Sequence, residues 1–133
     1  MTVLLDTHIW IWWLTSSPSL KSAERKSLDS IADKGGICLS AISLWEAQLL
    51  YSRKRLSLPV SFEEWLERAT APEVLSILPL DRDVVVSLNS LPETFHGDPA
   101  DRLIVATAHA HGLPLATNDR AIRKSRVTKI WKP

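Results

Sequence analysis

The sequence contains very little cysteine. Its 133 residues include one, Cys38, which lies in the apolar run Ile37-Cys38-Leu39. A single thiol excludes an intrachain disulfide and any zinc site built from cysteines. We therefore expect Cys38 to be a small buried apolar side chain, which suits a reducing compartment.

Long hydrophobic segments are also absent. The most apolar stretch, Ile9 to Leu14, is far shorter than the roughly 20 residues that a membrane-spanning helix needs. The opening residues, Met-Thr-Val-Leu-Leu-Asp, contain no basic segment of the kind that begins a secretory signal. These features predict no membrane association and a cytoplasmic location.

Neither sign of charge dominates. The chain has 16 Lys and Arg against 15 Asp and Glu, so net charge alone does not mark a nucleic-acid-binding protein. The basic residues are nevertheless clustered, in residues 53–55 and in the acid-free segment 120–133. Each cluster is either an ordinary solvated face or part of a rim that contacts phosphates around an acidic centre.

Composition and pattern predict a single α/β domain over residues 1–133. Hydrophobic residues make up 45% and charged residues 23%, which is typical of globular proteins. We predict strands at about residues 2–5, 37–40, 74–78, 113–117 and 127–131. We predict helices at about residues 7–14, 20–33, 43–53, 61–70, 81–91, 98–111 and 119–124, with a loop at 93–97. Alternating strands and helices favour a mostly parallel sheet with helices on both faces.

Acidic residues recur where a predicted strand is followed by a helix. Asp6 follows the first strand, Glu46 lies near the start of the helix after the second, and Asp119 follows the fourth. Asp98 and Asp101 begin the helix that leads down into the fourth strand, which places them at the same edge. Because ligands bind beyond the carboxyl ends of parallel strands, we expect these acids to share one pocket.

Helix capping is the alternative explanation for some of these acids. Asp98 has the position of an N-cap, and Glu46 and Asp101 would stabilise helix N-termini by about 0.3–1 kcal/mol. Ser43 and Glu46 have the spacing of a capping box. Capping does not obviously account for Asp6 and Asp119, because a strand has no need of a terminal acid. Asp81 also resembles a cap, and we expect it to lie at a sheet edge away from the other acids.

A group of carboxylates without a cationic partner is unfavourable unless a divalent metal binds there. Oxygen donors suit a hard cation such as Mg²⁺, which could activate water for attack on a phosphate ester. The histidines, His8, His96, His109 and His111, are scattered, so we do not expect a histidine metal site.

Four segments together resemble the PIN-domain nucleases, and most closely the VapC-like toxins of bacterial type II toxin–antitoxin pairs. Leu4-Leu5-Asp6-Thr7 and Ser40-Ala-Ile-Ser43-Leu-Trp-Glu46 are similar to the first two family motifs. Asp98-Pro-Ala-Asp101-Arg102 resembles the third, and Leu115-Ala-Thr117-Asn-Asp119 resembles the fourth. The motifs occur in the family's order, and the resemblance covers essentially the whole chain.

The resemblance implies an α/β/α sandwich with strand order 3-2-1-4-5 and an endoribonuclease that depends on Mg²⁺ or Mn²⁺. Asp6, Glu46, Asp101 and Asp119 would be the catalytic, metal-binding acids, and Asp98 would be an additional ligand or support. Thr117, Thr7 and Arg102 would have supporting roles. For RNA binding, the candidates in the basic segment are Arg120, Arg123, Lys124 and Arg126.

The resemblance also implies protein partners, namely a small antitoxin and a second copy of the chain in a homodimer. Trp10, Trp13 and Leu14 share one face of the first predicted helix, where they would either pack in the core or contact a partner. The region from Trp45 to Trp65 is a second candidate contact surface.

Other functions remain open at this point. A PIN nuclease of RNA processing would keep the fold without an antitoxin, and a non-catalytic interaction domain would keep the fold alone. A phosphoacceptor signalling module would need an acid pair after the first strand, where Asp6 stands alone, and an acid at the end of the third, where Pro79 lies. A phosphatase with an aspartate nucleophile would need a second aspartate at position 8, where the chain has His8.

Overall fold

Strands and helices alternate along the chain, as predicted. The computed structural model describes residues 1–95 and 97–133, so the expectations for His96 and for its place in the loop lie outside the described residues. The strands are β1 (Val3–Leu5), β2 (Ile37–Ser40), β3 (Ser76–Leu78) and β4 (Leu115–Ala116). The helices are α1 (Thr7–Leu14), α2 (Ser22–Asp33), α3 (Ile42–Ser52), α4 (Phe62–Ala69), α5 (Arg82–Asn89), α6 (Pro99–His111) and α7 (Arg120–Ser125).

The strands form one parallel sheet in the order β3-β2-β1-β4. Successive side chains of a strand point to opposite faces, and the two faces of this sheet carry separate cores. Val3 and Leu5 pack with the side chains of α1, α2 and α4. Leu4 packs on the other face with those of α5, α6 and α7. The predicted three-layer α/β/α architecture is therefore confirmed.

The fifth strand of the predicted order is reduced to one isolated parallel bridge between Leu115 and Ile130. Leu115 donates its N–H to the Lys129 carbonyl at 2.8 Å and accepts from the Trp131 N–H at 2.9 Å. Longer pairing does not form, because β4 itself has only two residues along which a ladder could extend. Side-chain packing holds this segment as well, since Trp131 is buried in the same hydrophobic core as the side chains of α1.

Two strands begin later than predicted because local hydrogen bonds compete for their first residues. The N–H groups of Val74 and Leu75 donate to the Ala71 carbonyl in a turn, so β3 begins at Ser76. Leu113 donates to the Ala108 carbonyl at the end of α6, and β4 begins only at Leu115.

Two helix starts also differ from the prediction. Helix α2 begins at Ser22 rather than at about residue 20, with Lys21 as its N-cap, and the Lys21 N–H donates to the Glu24 carboxylate at 3.1 Å. Helix α3 has Ala41 as its N-cap, so Ser43 is not a cap and Glu46 lies in the second turn. The predicted capping box of Ser43 and Glu46 is wrong, because the Ser43 hydroxyl is buried and hydrogen-bonded to the Thr7 hydroxyl at 2.8 Å.

The tryptophans of α1 belong mainly to the core. Trp10 is fully buried and donates its indole N–H to the Ala69 carbonyl, and Trp13 is buried and donates to Asp29. Trp65 is buried against Trp10. Trp45 differs, since half of its surface is exposed. In the described part of the chain, no helix has both the length and the apolar character needed to cross a membrane.

Candidate active site

The five predicted acids meet at one edge of the sheet. Asp6 follows β1, Glu46 lies on the helix after β2, and Asp119 follows β4. Asp98 and Asp101 lie at the start of α6. All five line a pocket of about 440 Å³, which is completed by His8, Trp12 and Asn118. Asp81 does not line it, in agreement with the position of β3 at the sheet edge.

Asp6 is the most enclosed of these carboxylates. Only 6% of its surface is exposed. Its Oδ1 accepts the Thr7 backbone N–H at 2.8 Å, and its Oδ2 accepts the Thr117 hydroxyl at 2.6 Å. Burial raises the pKa of Asp6, although these two hydrogen bonds and the nearby His8 oppose the shift. The carboxylate is therefore held in a fixed orientation in a site where its charge is unfavourable.

Thr117 links two of the acids. Its hydroxyl donates to Asp6 Oδ2 and accepts the backbone N–H of Asp119 at 3.0 Å. Because Thr117 is almost fully buried, water does not compete strongly for this hydroxyl. The residue thus connects the end of β1 to the turn that begins α7.

Asp6 and Asp119 also have capping roles, contrary to the expectation that capping did not account for them. Asp6 is the N-cap of α1, and Asp119 is the N-cap of α7, where it accepts the Ile122 N–H at 2.9 Å. Asp98 is the N-cap of α6, as predicted, and accepts the Asp101 N–H at 3.0 Å. Capping fixes where these acids lie, and it leaves their free oxygen lone pairs available to the pocket.

Glu46 presents an unsatisfied oxygen. Its Oε1 is buried, and within the described residues no group hydrogen-bonds to it. Burial raises the pKa of Glu46, and the charges of Asp6 and Asp98 raise it further. The Thr7 hydroxyl lies near enough to oppose part of this shift, although its own 2.8 Å partner is the Ser43 hydroxyl. A buried acceptor of this kind is costly unless a cation or a donor joins it.

Asp101 shows most directly that the acids are close together. Burial and the charges of Asp6, Asp98, Asp119 and Glu46 raise the pKa of Asp101 from 3.8 to about 7. Four carboxylates therefore act on this one group, which is the electrostatic signature of a shared site. Without a cation, the Asp101 carboxyl would therefore bind a proton much more readily near neutral pH than an ordinary aspartate.

The predicted supporting residues lie around the pocket rather than in its lining. Thr7 is buried and joins the start of α1 to Ser43 of α3. Arg102 donates to the Phe95 carbonyl at 3.2 Å and lies over the Phe95 ring, so it holds the segment that precedes α6. Neither Thr7 nor Arg102 lines the pocket in the described structure.

The basic residues of α7 are exposed and do not line the pocket. Arg120, Lys124 and Arg126 lie on or just after α7. Arg123 donates its Nε–H to the Thr117 carbonyl at 3.0 Å, which ties the end of β4 to the helix. This helix begins directly after Asp119, which lines the pocket, so its basic side chains lie near the pocket without lining it.

Sequence reasoning missed three lining residues, His8, Trp12 and Asn118. His8 and Trp12 are four residues apart on α1, and their rings are 5.8 Å apart. The spacing of Asp6, His8 and Trp12 could have placed the latter two at the same end of the sheet. Asn118 lies between Thr117 and Asp119, so its neighbours already indicated its position.

The donor set fits a hard divalent cation in chemistry and charge. Among the described residues, no three His, Cys, Asp or Glu side chains converge closely enough to hold an ion without adjustment. Mg²⁺ keeps several of its waters, however, and needs few direct protein ligands. The unsatisfied Glu46 Oε1 and the raised pKa values of Asp6, Glu46 and Asp101 describe a pocket that gains stability from a cation.

Comparison with known proteins identifies the family. The PIN domain matches residues 3–127 of this chain. The chain belongs to the PIN-domain family. Among curated PIN-domain relatives, Ribonuclease VapC22 of Mycobacterium tuberculosis is 36% identical over 125 residues, which cover 94% of this chain and 92% of that protein.

Solved structures share the PIN fold seen here. VapBC2 from Rickettsia felis, bound to a DNA fragment from its promoter, matches with a TM-score of 0.74 at 19% identity and 98% coverage of both chains. DNA-bound VapBC from Salmonella typhimurium matches with a TM-score of 0.73 at 21% identity, covering 98% of this chain and 97% of that one. At these identities the likeness concerns the fold alone.

Proposed function

We propose that this chain is a metal-dependent endoribonuclease and the toxin of a type II toxin–antitoxin pair, acting in the cytoplasm. The observation that carries the proposal is the pocket in which five acids meet, where burial and neighbouring carboxylates raise the pKa values of Asp6, Glu46 and Asp101. The named activity of its relative, Ribonuclease VapC22, supports the choice of RNA as substrate.

In this proposal Asp6, Glu46, Asp101 and Asp119 hold Mg²⁺ or Mn²⁺, and Asp98 assists from the N-cap of α6. The bound ion would lower the pKa of a water molecule and neutralise charge that develops on the phosphoryl oxygens. Through its hydroxyl, Thr117 holds the Asp6 carboxylate and the Asp119 backbone in fixed positions relative to each other while the substrate binds. Arg102 positions the segment before α6, and so positions Asp98 and Asp101.

The lining of the pocket favours attack by water. The side chains that line it are acids, one histidine, one tryptophan and one asparagine, and among the described residues no Ser, Thr, Cys or Lys is included. A covalent intermediate on a hydroxyl, thiol or amine is therefore not part of the proposal. Hydrolysis needs only a positioned phosphate and an activated water molecule, and the acids supply the site for both.

The proposed partners are a small antitoxin and a second copy of this chain. The related solved structures are named as VapBC assemblies, which supports a partner of the same kind. Exposed apolar side chains, including Val85 and Val86 on α5, offer surface that association would bury. Arg120, Lys124 and Arg126 are proposed to contact RNA phosphates beside the pocket, and Arg123 to do so in addition to its bond with Thr117.

The test is cleavage of a mixed pool of structured RNAs by the purified protein with Mg²⁺, with Mn²⁺ and with EDTA. The Asp6→Asn variant is assayed beside it. We expect cleavage that requires the metal and is lost in the variant, whose fold is intact or slightly more stable because a buried charge is removed.

Other outcomes separate the alternatives. Cleavage that persists in EDTA would contradict the metal mechanism, and cleavage by Asp6→Asn at the parent rate would contradict the assignment of the site. Absence of cleavage with intact metal binding would indicate a narrow RNA target, to be sought with tRNA and ribosomal RNA. Absence of both would favour a non-catalytic interaction domain.

A further inference from the structure

A second pocket lies beside the acidic one and shares part of its wall. It has a volume of about 380 Å³, which falls within the roughly 300–1,000 Å³ typical of small-molecule sites. His8, Glu46 and Asp98 line both pockets, so the two are continuous along the surface. The remaining lining residues of the second pocket are Trp45, Leu49, Leu50, Arg53, Arg55, Pro99 and Ala100.

The far wall of this second pocket is aromatic and basic. Trp45, Leu49 and Arg53 are four residues apart along α3 and its C-cap, so they form one row on the helix surface. Trp45 is half exposed, although an indole of this size is usually buried. The row leads from Glu46 in the acidic pocket towards the guanidinium groups of Arg53 and Arg55.

The backbone after α3 directs Arg55 back to the same pocket. Arg55 donates its N–H to the Leu50 carbonyl at 2.8 Å, and the intervening Lys54 adopts a left-handed conformation with φ of 58°. Glycine or asparagine usually occupies such a position, because other side chains are strained there. The turn thus places two arginines on one pocket at some cost in backbone energy.

Arg53 and Arg55 form no ion pair among the described residues. The ion pair of Arg68 with Glu64 is the one formed among the described residues, so neither Arg53 nor Arg55 has a carboxylate within 4.0 Å there. Both side chains are exposed. A guanidinium group presents a planar fork of donors that matches a phosphate, and it also stacks on bases.

We propose that this second pocket binds the nucleotide next to the scissile phosphate of a single-stranded RNA, with its base on Trp45 and its phosphate on Arg53 and Arg55. The inference rests on the proposed ribonuclease function. Stacking on an exposed aromatic ring combined with arginine contacts to the backbone is the general way in which proteins bind single-stranded nucleic acids. The shared residues His8, Glu46 and Asp98 mark where the strand passes from one pocket to the other.

The test measures binding of a fluorescently labelled 12-nucleotide single-stranded RNA by anisotropy, across a series of salt concentrations. The variants are Trp45→Ala, Trp45→Phe and the double variant Arg53→Gln with Arg55→Gln. A matched double variant, Arg82→Gln with Lys34→Gln, changes the net charge equally at exposed positions outside both pockets. Thermal melting confirms that each variant folds, as expected for exposed residues.

We expect Trp45→Ala to weaken binding by about 5- to 150-fold, the range found when a stacking aromatic is removed. Trp45→Phe should retain most of the affinity, since a ring remains. The logarithm of the RNA-binding constant falls linearly with the logarithm of the salt concentration. In the Arg53 and Arg55 double variant this fall should be less steep, by about 0.7 in the slope for each lost phosphate contact. The matched double variant should change the slope little.

Four results would overturn the inference, and they are distinguishable. Parent-like binding by Trp45→Ala and by the Arg53 and Arg55 double variant would reject the pocket while leaving the ribonuclease proposal standing. Equal loss in both double variants would show only a general charge effect. A change in self-association of Trp45→Ala with unchanged RNA affinity, measured by light scattering, would assign the pocket to contact between copies of the chain. Failure of the parent to bind RNA, to cleave RNA and to bind a divalent metal would reject the ribonuclease proposal as well.

Discussion

The Thr117 hydroxyl donates a 2.6 Å hydrogen bond to Asp6 Oδ2 across 111 positions of sequence. The same hydroxyl accepts the Asp119 backbone N–H, so one buried side chain holds the acids that follow β1 and β4. A hydrogen bond to a carboxylate favours its charged form, and this bond opposes the effect of burial on the pKa of Asp6. Thr117 thus positions Asp6 and helps to keep it ionised.

Replacing Thr117 by valine should impair both stability and activity. The change keeps the shape of the side chain and leaves a buried carboxylate oxygen and the Asp119 N–H without this partner. A lost partner of this kind costs about 1–3 kcal/mol, to be measured by urea denaturation. Thr117→Ser keeps the hydroxyl and is the matched control. Equal stability of the valine variant and the parent would show that this bond contributes little.

The metal-free protein should lose stability as the pH rises through neutrality. Burial and neighbouring carboxylates raise the pKa of Asp101 from 3.8 to about 7, so the folded state binds this proton more tightly than the unfolded state. The stabilisation is fully present below pH 3.8 and is lost as the pH rises through about 7. Thermal melting in EDTA from pH 5 to 8 should show a smaller pH dependence for Asp101→Asn, which stays neutral. If the melting temperatures of the parent and of Asp101→Asn changed equally with pH, the raised pKa of Asp101 would be contradicted.

Divalent cations should stabilise the parent more than Glu46→Gln. A ligand at 100 times its Kd stabilises the folded state by about 2.7 kcal/mol, and Glu46 supplies a buried oxygen that lacks a partner among the described residues. Melting temperatures with and without Mg²⁺ or Mn²⁺ measure the effect without any need for cleavage.

Asp81→Asn is the control for this experiment. Asp81 caps α5 through the Val84 N–H at 3.1 Å and lies outside the pocket lining, so its variant should keep the full response to metal. A response that is equal in Glu46→Gln and Asp81→Asn would remove Glu46 from the proposed ligands.

The basic residues beside α7 should give RNA binding part of its salt dependence. The variant to test is Lys124→Gln with Arg126→Asn, because Arg126 has a φ of 55° that asparagine tolerates. Arg123 is left unchanged, since its bond to the Thr117 carbonyl is structural. We expect weaker binding and a smaller salt slope. The control is Lys26→Gln with Lys34→Gln, which removes two charges on and just after α2. If this control reduces RNA affinity and the salt slope equally, the basic residues of α7 are only a solvated face.

The sequence indicated the architecture because local patterns carry that information. Apolar runs followed by acids located β1, β2 and β4, and Asp98, Pro99 and Gly112 marked both ends of α6. Local competition for hydrogen bonds is harder to foresee. Val74 and Leu75 have suitable side chains for a strand, but their N–H groups are taken by a turn, and the Ser43 hydroxyl serves Thr7 rather than its own helix.

The sequence by itself determined which acids stand at strand ends, because the periodicity of side chains and the direction of each crossover fix the edge on which they lie. Only the tertiary structure decided the burial, the hydrogen bonds and the neighbouring charges of those acids. The proton affinity of Asp101, the unsatisfied oxygen of Glu46 and the bond between Thr117 and Asp6 depend on distances between segments far apart in the chain. Burial and electrostatic repulsion depend on distances in space, so the pKa values and hydrogen bonds of the pocket follow from the folded structure and not from the order of residues along the chain.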